Sequence, residues 1–196
     1  MMLPNKLIRS YLLALQDLLG KNGVNAVLNV SGLAAWIENF PPEDDTRAIT
    51  YEDFSRIQAS IEDIYGDRAG QNLSRQAAHN SFASVGASQI DSSETDLSGE
   101  GKSATIKQAL NNFVSIFDPD GSGDVGWTGT DEEIAIHFDV CPNCVGRETE
   151  SPICKACAGW IEGLLDMMAA GDEIKVNNTT CRAVGDSKCT FVIQSI

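Results

Sequence analysis

The chain has 196 residues, of which 42% are hydrophobic and 21% charged, a composition typical of one soluble globular domain. Its 14 basic and 28 acidic side chains give a formal net charge of −14. A surface that acidic repels phosphate backbones and anionic lipid headgroups, which argues against nucleic-acid and membrane partners. No apolar run approaches the roughly 20 residues of a membrane-spanning helix.

The N-terminus does not have the pattern of a secretory signal. Its apolar stretch, residues 11–15, is interrupted at once by Gln16 and Asp17, and no small-residue cleavage site follows. We therefore expect a cytoplasmic protein. All six cysteines lie after residue 140, and in a reducing compartment such clustering indicates a metal site before disulfides.

Residues 1–83 show the period of amphipathic helices. An apolar stripe over residues 3–20 closes at Gly20, and a second apolar segment over 24–37 ends before two prolines. Thr50 has the position of an N-cap for a helix that stops near Gly66. A further helix is predicted over 73–82.

Residues 84–104 change in composition. Fourteen of these 21 residues are Ser, Thr, Gly, Asp or Glu, so burial cannot offset the entropy of ordering them. We expect a flexible surface loop. Helical periodicity returns over residues 106–117.

The C-terminal third adds strand signals. Residues 133–139 alternate with a period of two, 153–170 predict a helix, and two strands over 173–184 and 188–196 flank a turn at 185–187. This order predicts an α+β fold in which N-terminal helices pack on an antiparallel sheet. We expect one domain over residues 1–196, with the cysteine site in the α/β region 105–196.

The cysteine spacing predicts a metal site. Two Cys-x-x-Cys pairs are separated by nine residues, which suits the tetrahedral ion of a zinc ribbon. The remaining two cysteines are symmetric about Gly185, so a hairpin there would place them opposite each other, close enough to share a metal or to form a disulfide. Two ligand sets therefore remain open: Cys141, Cys144, Cys154 and Cys157, or a mixed set that includes Cys181 and Cys189.

The C-terminal motifs resemble the 4-vinyl reductase domain family. That family is marked by a cysteine and a glycine that open a helix, a strand, and then Cys-x-x-x-Gly-Asp-x-x-Cys-x-Phe. The matching residues here are Cys154, residues 159–165 and residues 180–193. The resemblance is specific over about residues 133–196 and looser over the N-terminal helices.

The resemblance implies a fold similar to TRAPP vesicle-tethering subunits and to the sensor domains of aromatic-responsive activators. It implies an α+β dimer with an apolar internal pocket. In the sensor domains three cysteines and a glutamate hold zinc. By motif, the cysteines correspond to Cys154, Cys181 and Cys189, and we favour Cys144 where the glutamate's segment falls. Cys141 and Cys157 are the alternates.

The leading hypothesis is a cytoplasmic, homodimeric binding protein that encloses a hydrophobic or tetrapyrrole-like small molecule beside a structural zinc. Trp160, Leu164 and Met168 are candidate pocket residues, although apolar residues at helical spacing usually form a core. One alternative is a reductase or accessory factor in (bacterio)chlorophyll vinyl reduction with an iron–sulfur cluster. Another is a dimeric assembly subunit. Because no dinucleotide loop and no catalytic grouping is present, binding is favoured over catalysis and no catalytic residue is predicted.

Two weaker signals have simpler interpretations. Residues 118–125 match the first eight positions of a calcium-binding loop, but Gly129 stands where a bidentate glutamate is required. We therefore favour a polar turn there. His137 is predicted to be a surface or hydrogen-bonded histidine rather than a metal ligand.

Overall fold

A computed structural model of the chain describes residues 1–86, 100–130, 133–166 and 174–195, and confirms the predicted α+β fold. Helices dominate the first 117 residues, and most of the strands follow. The elements in chain order are β1 (Met2–Pro4), α1 (Asn5–Val30), β2 (Arg47–Thr50), α2 (Tyr51–Tyr65), α3 (Asp67–Gly86), α4 (Glu100–Phe117), β3 (Val125–Gly129), β4 (Ile134–Phe138), α5 (Lys155–Asp166), β5 (Ile174–Thr180) and β6 (Cys189–Ser195).

The first helix extends beyond its predicted end. Gly20 leaves the helical conformation, with φ 71° and ψ 166°, but the chain returns to helix and continues to Val30. Glycine adopts this positive φ without steric cost, so the predicted boundary is a kink inside α1. The short antiparallel pair β1–β2 was not predicted, because strands of three and four residues show too little alternation to recognise.

The predicted cap of α2 is confirmed. The Thr50 hydroxyl accepts a hydrogen bond from the Asp53 amide at 3.0 Å, and the Asp53 carboxylate accepts one from the Thr50 amide at 3.1 Å. This reciprocal pair satisfies two amides that an uncapped helix start would leave without partners. Gly66 follows the helix, as predicted, with φ 82°.

Helices α3 and α5 approach each other closely because α5 presents two glycines to α3. A Cβ atom at Gly159 would collide with the carbonyl oxygen of Arg75, and one at Gly163 with that of His79. The Arg75 guanidinium also donates to the Glu162 carboxylate, with Nε and Oε2 2.7 Å apart. Small residues and one ion pair therefore fix the position of α5, which follows Cys154.

The larger sheet has the antiparallel order β3-β4-β6-β5. The predicted hairpin turn is longer than expected: β5 ends at Thr180, and a 3-10 turn over Arg182–Val184 precedes Gly185. Strand β3 was not predicted, because its two glycines obscure the alternation.

Aromatic rings fill the interior between the helices and this sheet. Trp160 is fully buried and stacks on Phe54, with ring centroids 4.8 Å apart, and the ring of Phe117 lies 5.5 Å from that of Trp160. We call the connected rings the aromatic core; its members are Tyr11, Phe54, Phe82, Phe113, Phe117, Phe138, Trp160 and Phe191.

The predicted loop 84–104 requires a correction at both ends. Helix α3 continues to Gly86 and α4 begins at Glu100, so residues 84–86 and 100–104 are helical. Residues 87–99 lie outside the described part of the chain. The polar composition between the two helices concealed their ends, because local composition does not report tertiary support for a helix.

Candidate metal centre

The fold brings all six cysteines into one buried cluster. Cys141 and Cys144 lie in the turn after β4, Cys154 precedes α5, and Cys157 lies in its first turn. Cys181 follows β5 and Cys189 begins β6. None of the six is more than 2% exposed, and none forms a disulfide. Segments distant in sequence therefore contribute sulfur atoms to one site.

The sulfur atoms lie at contact distances from one another. The Cys154 Sγ lies 3.5 Å from that of Cys141, 3.5 Å from that of Cys181 and 3.7 Å from that of Cys189. The Cys144 and Cys189 sulfurs are 3.5 Å apart. Cys157 contacts Cys141 at 3.6 Å.

These spacings match the edges of a tetrahedral thiolate site. With zinc–sulfur bonds of about 2.3 Å, ligand sulfurs stand about 3.8 Å apart. The sulfurs of Cys141, Cys144, Cys154 and Cys189 all lie within 4.8 Å of one another, so these four buried cysteines can bind a metal ion. This group shares three members with the predicted set and contains Cys141, a predicted alternate, in the place of Cys181.

The cluster cannot hold several negative charges without a cation. Hydrogen bonds from Cys141 and the neighbouring thiols lower the pKa of Cys144, whose thiolate accepts them. Interactions with the Cys141, Cys144, Cys181 and Cys189 sulfurs, together with burial, raise the pKa of Cys154. Burial raises the pKa of Cys157. A bound cation would stabilise the thiolate forms of these buried cysteines, because metal ligation requires deprotonated sulfur.

Two asparagines that sequence reasoning missed support the cysteines. The Asn143 side-chain oxygen accepts from the Ala156 amide at 2.9 Å and so caps α5, while its nitrogen donates to the Ile153 carbonyl at 3.2 Å. The Asn178 oxygen accepts from the Cys154 amide at 3.3 Å. The position of Asn143 inside the first Cys-x-x-Cys pair was the available signal, since a turn residue there can reach a helix start.

The hairpin turn is held by its own polar contacts. The Asp186 carboxylate accepts from the Cys181 amide at 2.7 Å. The Arg182 amide donates to the Cys189 sulfur at 3.3 Å. An amide directed at sulfur stabilises a thiolate, which is the form that binds metal.

An ion pair ties the cysteine turn to the N-terminal helices. The Arg147 guanidinium donates to the Glu62 carboxylate, with Nη1 and Oε1 3.2 Å apart, and both side chains are largely buried. The Ser55 hydroxyl donates to the Val145 carbonyl at 2.8 Å. Helix α2 thus positions the turn that carries Cys141 and Cys144.

Two of the three predicted pocket residues, Trp160 and Leu164, lie in the protein interior. Trp160 belongs to the aromatic core and donates from Nε1 to the Ser81 hydroxyl at 3.2 Å; Leu164 is 3% exposed. Met168 lies outside the described residues. Two surface clefts, of about 430 and 240 Å³, are lined by other residues, among them Lys6 and Arg47 in the larger one.

The calcium-like loop and the two histidines have local partners. The Asp118 carboxylate accepts from the Ser122 hydroxyl and amide and from the Gly123 amide, at 2.8–3.0 Å, as expected for a polar turn. His137 pairs with Gly126 across β3 and β4. His79 lies 2.7 Å from the Asp166 carboxylate.

Among the described residues, no helix combines the length and apolarity needed to cross a bilayer.

The fold is similar to that of H-NOX domains of known structure. An oxygen-binding H-NOX domain related to soluble guanylate cyclases superposes with a TM-score of 0.60 at 12% identity, covering 98% of this chain and 94% of that one. A structure concerned with heme redox potential and porphyrin distortion superposes with a TM-score of 0.62 at 13% identity, covering 98% of this chain and 94% of that one. An H-NOX protein from S. oneidensis, in the Fe(II)NO ligation state, superposes with a TM-score of 0.56 at 11% identity, covering 96% of this chain and 98% of that one.

Within this fold, the C-terminal third also matches a sequence family. The family model of the 4-vinyl reductase domain matches residues 134–195, which supports the resemblance seen in the sequence motifs. No curated protein sequence matches the chain significantly. The chain thus combines a fold similar to that of H-NOX domains, a family match over its C-terminal third and four buried cysteines that can bind a metal ion.

The described residues do not fit the heme of the H-NOX structures. A heme needs an axial ligand directed into a flat cavity. His79 and His137, the only histidines of the sequence, are both partly exposed, and the cysteines are gathered in the metal cluster. Trp160, Phe54 and Phe117 occupy the centre of the fold with their rings in contact. The described chain therefore shares the H-NOX fold without a visible heme site.

Proposed function

We propose that this protein is a ligand-binding domain whose C-terminal half is held together by one structural zinc ion. The spacing of the sulfur atoms supports this proposal most directly. Four buried thiols at 3.5–3.7 Å contacts need only small movements to become a tetrahedral site. Four thiolates leave no open coordination position, so the ion would be structural rather than hydrolytic.

The same spacing argues against an iron–sulfur cluster. In a [4Fe–4S] cluster each of the four thiolates binds a different iron, and in a [2Fe–2S] cluster the four are divided between two irons. Thiolates on different irons stand farther apart than the ligands of a mononuclear site, whereas these four sulfurs all lie within 4.8 Å of one another. The vinyl-reductase alternative, which also requires an electron source, is therefore the less favoured function.

Elemental analysis and native mass spectrometry of protein purified without chelator test the metal. We expect one zinc per chain, no iron and no visible absorption. Absence of both zinc and iron would refute the metal site, while brown protein with iron and sulfide would establish the cluster. An Asp118→Asn variant serves as a control, because its carboxylate lies in the polar turn and should not alter the zinc content.

For the ligand, we propose a hydrophobic or tetrapyrrole-like small molecule bound by a homodimer in the cytoplasm. The fold and the family match support ligand binding in general. Because the rings beside Trp160 are in contact, a ligand there must move an aromatic side chain. Organic-solvent extraction of the purified protein followed by mass spectrometry tests for the molecule, and recovery of none would favour the assembly-subunit alternative. Sedimentation analysis tests the dimer.

A further inference from the structure

Two further cysteine sulfurs, those of Cys141 and Cys181, each contact the sulfur of Cys154 at 3.5 Å. The sulfur atoms of Cys144, Cys154 and Cys189 form a triangle that both possible ligand sets share, because all three lie close to one another. Cys141 interacts with all three. The Cys181 sulfur lies 3.5 Å from that of Cys154, and hydrogen bonding with Cys144 and Cys189 contributes to the raised pKa of Cys181. The cluster therefore contains two candidate quartets that share one face.

We propose that one thiophilic divalent ion is held by three constant thiolates, those of Cys144, Cys154 and Cys189, and that Cys141 and Cys181 are alternative fourth ligands. This inference rests on the proposed metal site. It adds that the coordination shell can exchange one ligand without releasing the ion.

The geometry allows one ion at a time. Two regular tetrahedra that share a face, with metal–sulfur bonds of about 2.3 Å, have centres only about 1.5 Å apart. Two divalent cations cannot occupy positions so close together, because their repulsion is far greater than any gain from the shared thiolates. A single ion can instead move between the two centres over that short distance.

The exchange conserves charge and atoms. The incoming thiol gives up its proton as its sulfur binds the ion, and the outgoing thiolate leaves the ion and takes up a proton. The ion keeps four thiolates before and after the step. The released thiol is neutral, which suits its buried position.

The two alternative ligands belong to different parts of the fold. Cys141 lies in the turn after β4 and has Cys157 as a neighbour at 3.6 Å. Cys181 lies in the hairpin turn, where Asp186 holds its amide. The choice of ligand therefore connects the ion either to the turn that α2 supports or to the exposed hairpin turn.

Single and double cysteine variants test this arrangement. We expect Cys141→Ser and Cys181→Ser each to retain one zinc per chain, and the double variant to lose it. Cys144→Ser should weaken zinc binding more than about 100-fold, beyond the 10–100-fold typical of removing an outer-sphere partner. Ser187→Ala, in the same hairpin turn, is the matched control and should bind zinc normally.

Cobalt substitution supplies an independent readout of the ligand number. Thiolate-to-cobalt absorption should stay at the four-thiolate level in both single variants. If either single variant loses zinc, or loses about one quarter of this absorption, that cysteine is a constant ligand and the proposal is wrong. Two ions per wild-type chain would also overturn it, whereas no ion in the wild type would overturn the metal site itself.

If the variants do not fold, the wild-type protein still decides the question. The cysteine Cβ chemical shifts in NMR spectra of the zinc-loaded protein differ between a metal-bound thiolate and a free thiol. They should be those of a bound ligand for Cys144, Cys154 and Cys189 and intermediate, or doubled, for Cys141 and Cys181. A fully bound shift for one of these two and a fully free shift for the other would show a fixed quartet.

Discussion

The aromatic core and the cysteine cluster are adjacent but are stabilised by different physical effects. The core consists of ring contacts between fully buried side chains such as Trp160 and Phe54. The cluster consists of thiols whose negative charge needs a cation and whose backbone is fixed by polar side chains such as Asn143 and Asn178. Apolar burial stabilises a fold under most solution conditions, whereas a thiolate site depends on metal and pH.

The two regions meet on α5 and on the central strands. Cys157 and Trp160 lie one turn apart on the same helix, one in the cluster and one in the core. Phe138 and Cys189 are register partners in β4 and β6. A disturbance of one region should therefore reach the other through these elements, and the size of the effect tells how strongly they are coupled.

Metal removal should give the largest difference between the two regions. Structural zinc contributes on the order of 10 kcal/mol in apparent terms, comparable to the whole stability of a domain. We expect a strong chelator to accelerate amide hydrogen exchange over residues 141–157 first, while the buried turns of α1 remain protected longer. Equal loss of protection in both regions would mean that they unfold as one unit.

Removal of the central ring should give the next largest effect. Trp160→Ala leaves a cavity in the aromatic core and should destabilise the protein by about 3–5 kcal/mol, measured by denaturant unfolding. The zinc content of the folded fraction should not change. Trp36→Ala, at a partly buried position, should lower the free energy of unfolding by less than Trp160→Ala does. An equal loss of stability in the two variants would argue against a central role for the ring of Trp160.

An added methyl group at the helix contact should have a smaller effect. Gly159→Ala places a Cβ against the carbonyl of Arg75 and should destabilise the protein by about 1–3 kcal/mol. Gly121→Ala is a useful control, because its Cβ would meet open space and only its positive φ is unfavourable. Thermal unfolding compares the two, and an unchanged midpoint for Gly159→Ala would show that α3 and α5 can separate freely.

The smallest expected effect concerns His79. Burial acts to lower the pKa of His79, but hydrogen bonds with Asp166 and Asn80 outweigh it, and the pKa is raised above 6.5. Because the folded state binds the proton more tightly, the stabilisation is fully present below about pH 6.5 and is lost as the pH rises through the raised value. Both side chains are partly exposed, so the contribution should stay below about 1 kcal/mol.

A pH series tests this contact. The stability difference between the wild type and His79→Gln should be largest in mildly acidic solution and should shrink at alkaline pH. A difference that grew with pH would contradict the charged pair between His79 and Asp166.

The sequence by itself determined the features that depend on neighbours in the chain. Thr50 and Gly66 mark the ends of α2 because capping is a local hydrogen-bonding requirement. The strand period of 133–139 and the family motif around Gly185 placed the sheet and its hairpin. The spacing of the cysteines likewise indicated a metal site.

Only the tertiary structure decided how the distant pieces combine. The gathering of six thiols depends on the register of β6, on the approach of α3 to Gly159 and on the ion pair of Arg147 with Glu62. The competition between Cys141 and Cys181 follows from sulfur positions, which spacing along the chain cannot supply. The physical reason is that coordination and close packing depend on distances between segments, whereas sequence periodicity reports only which way each residue faces within its own segment.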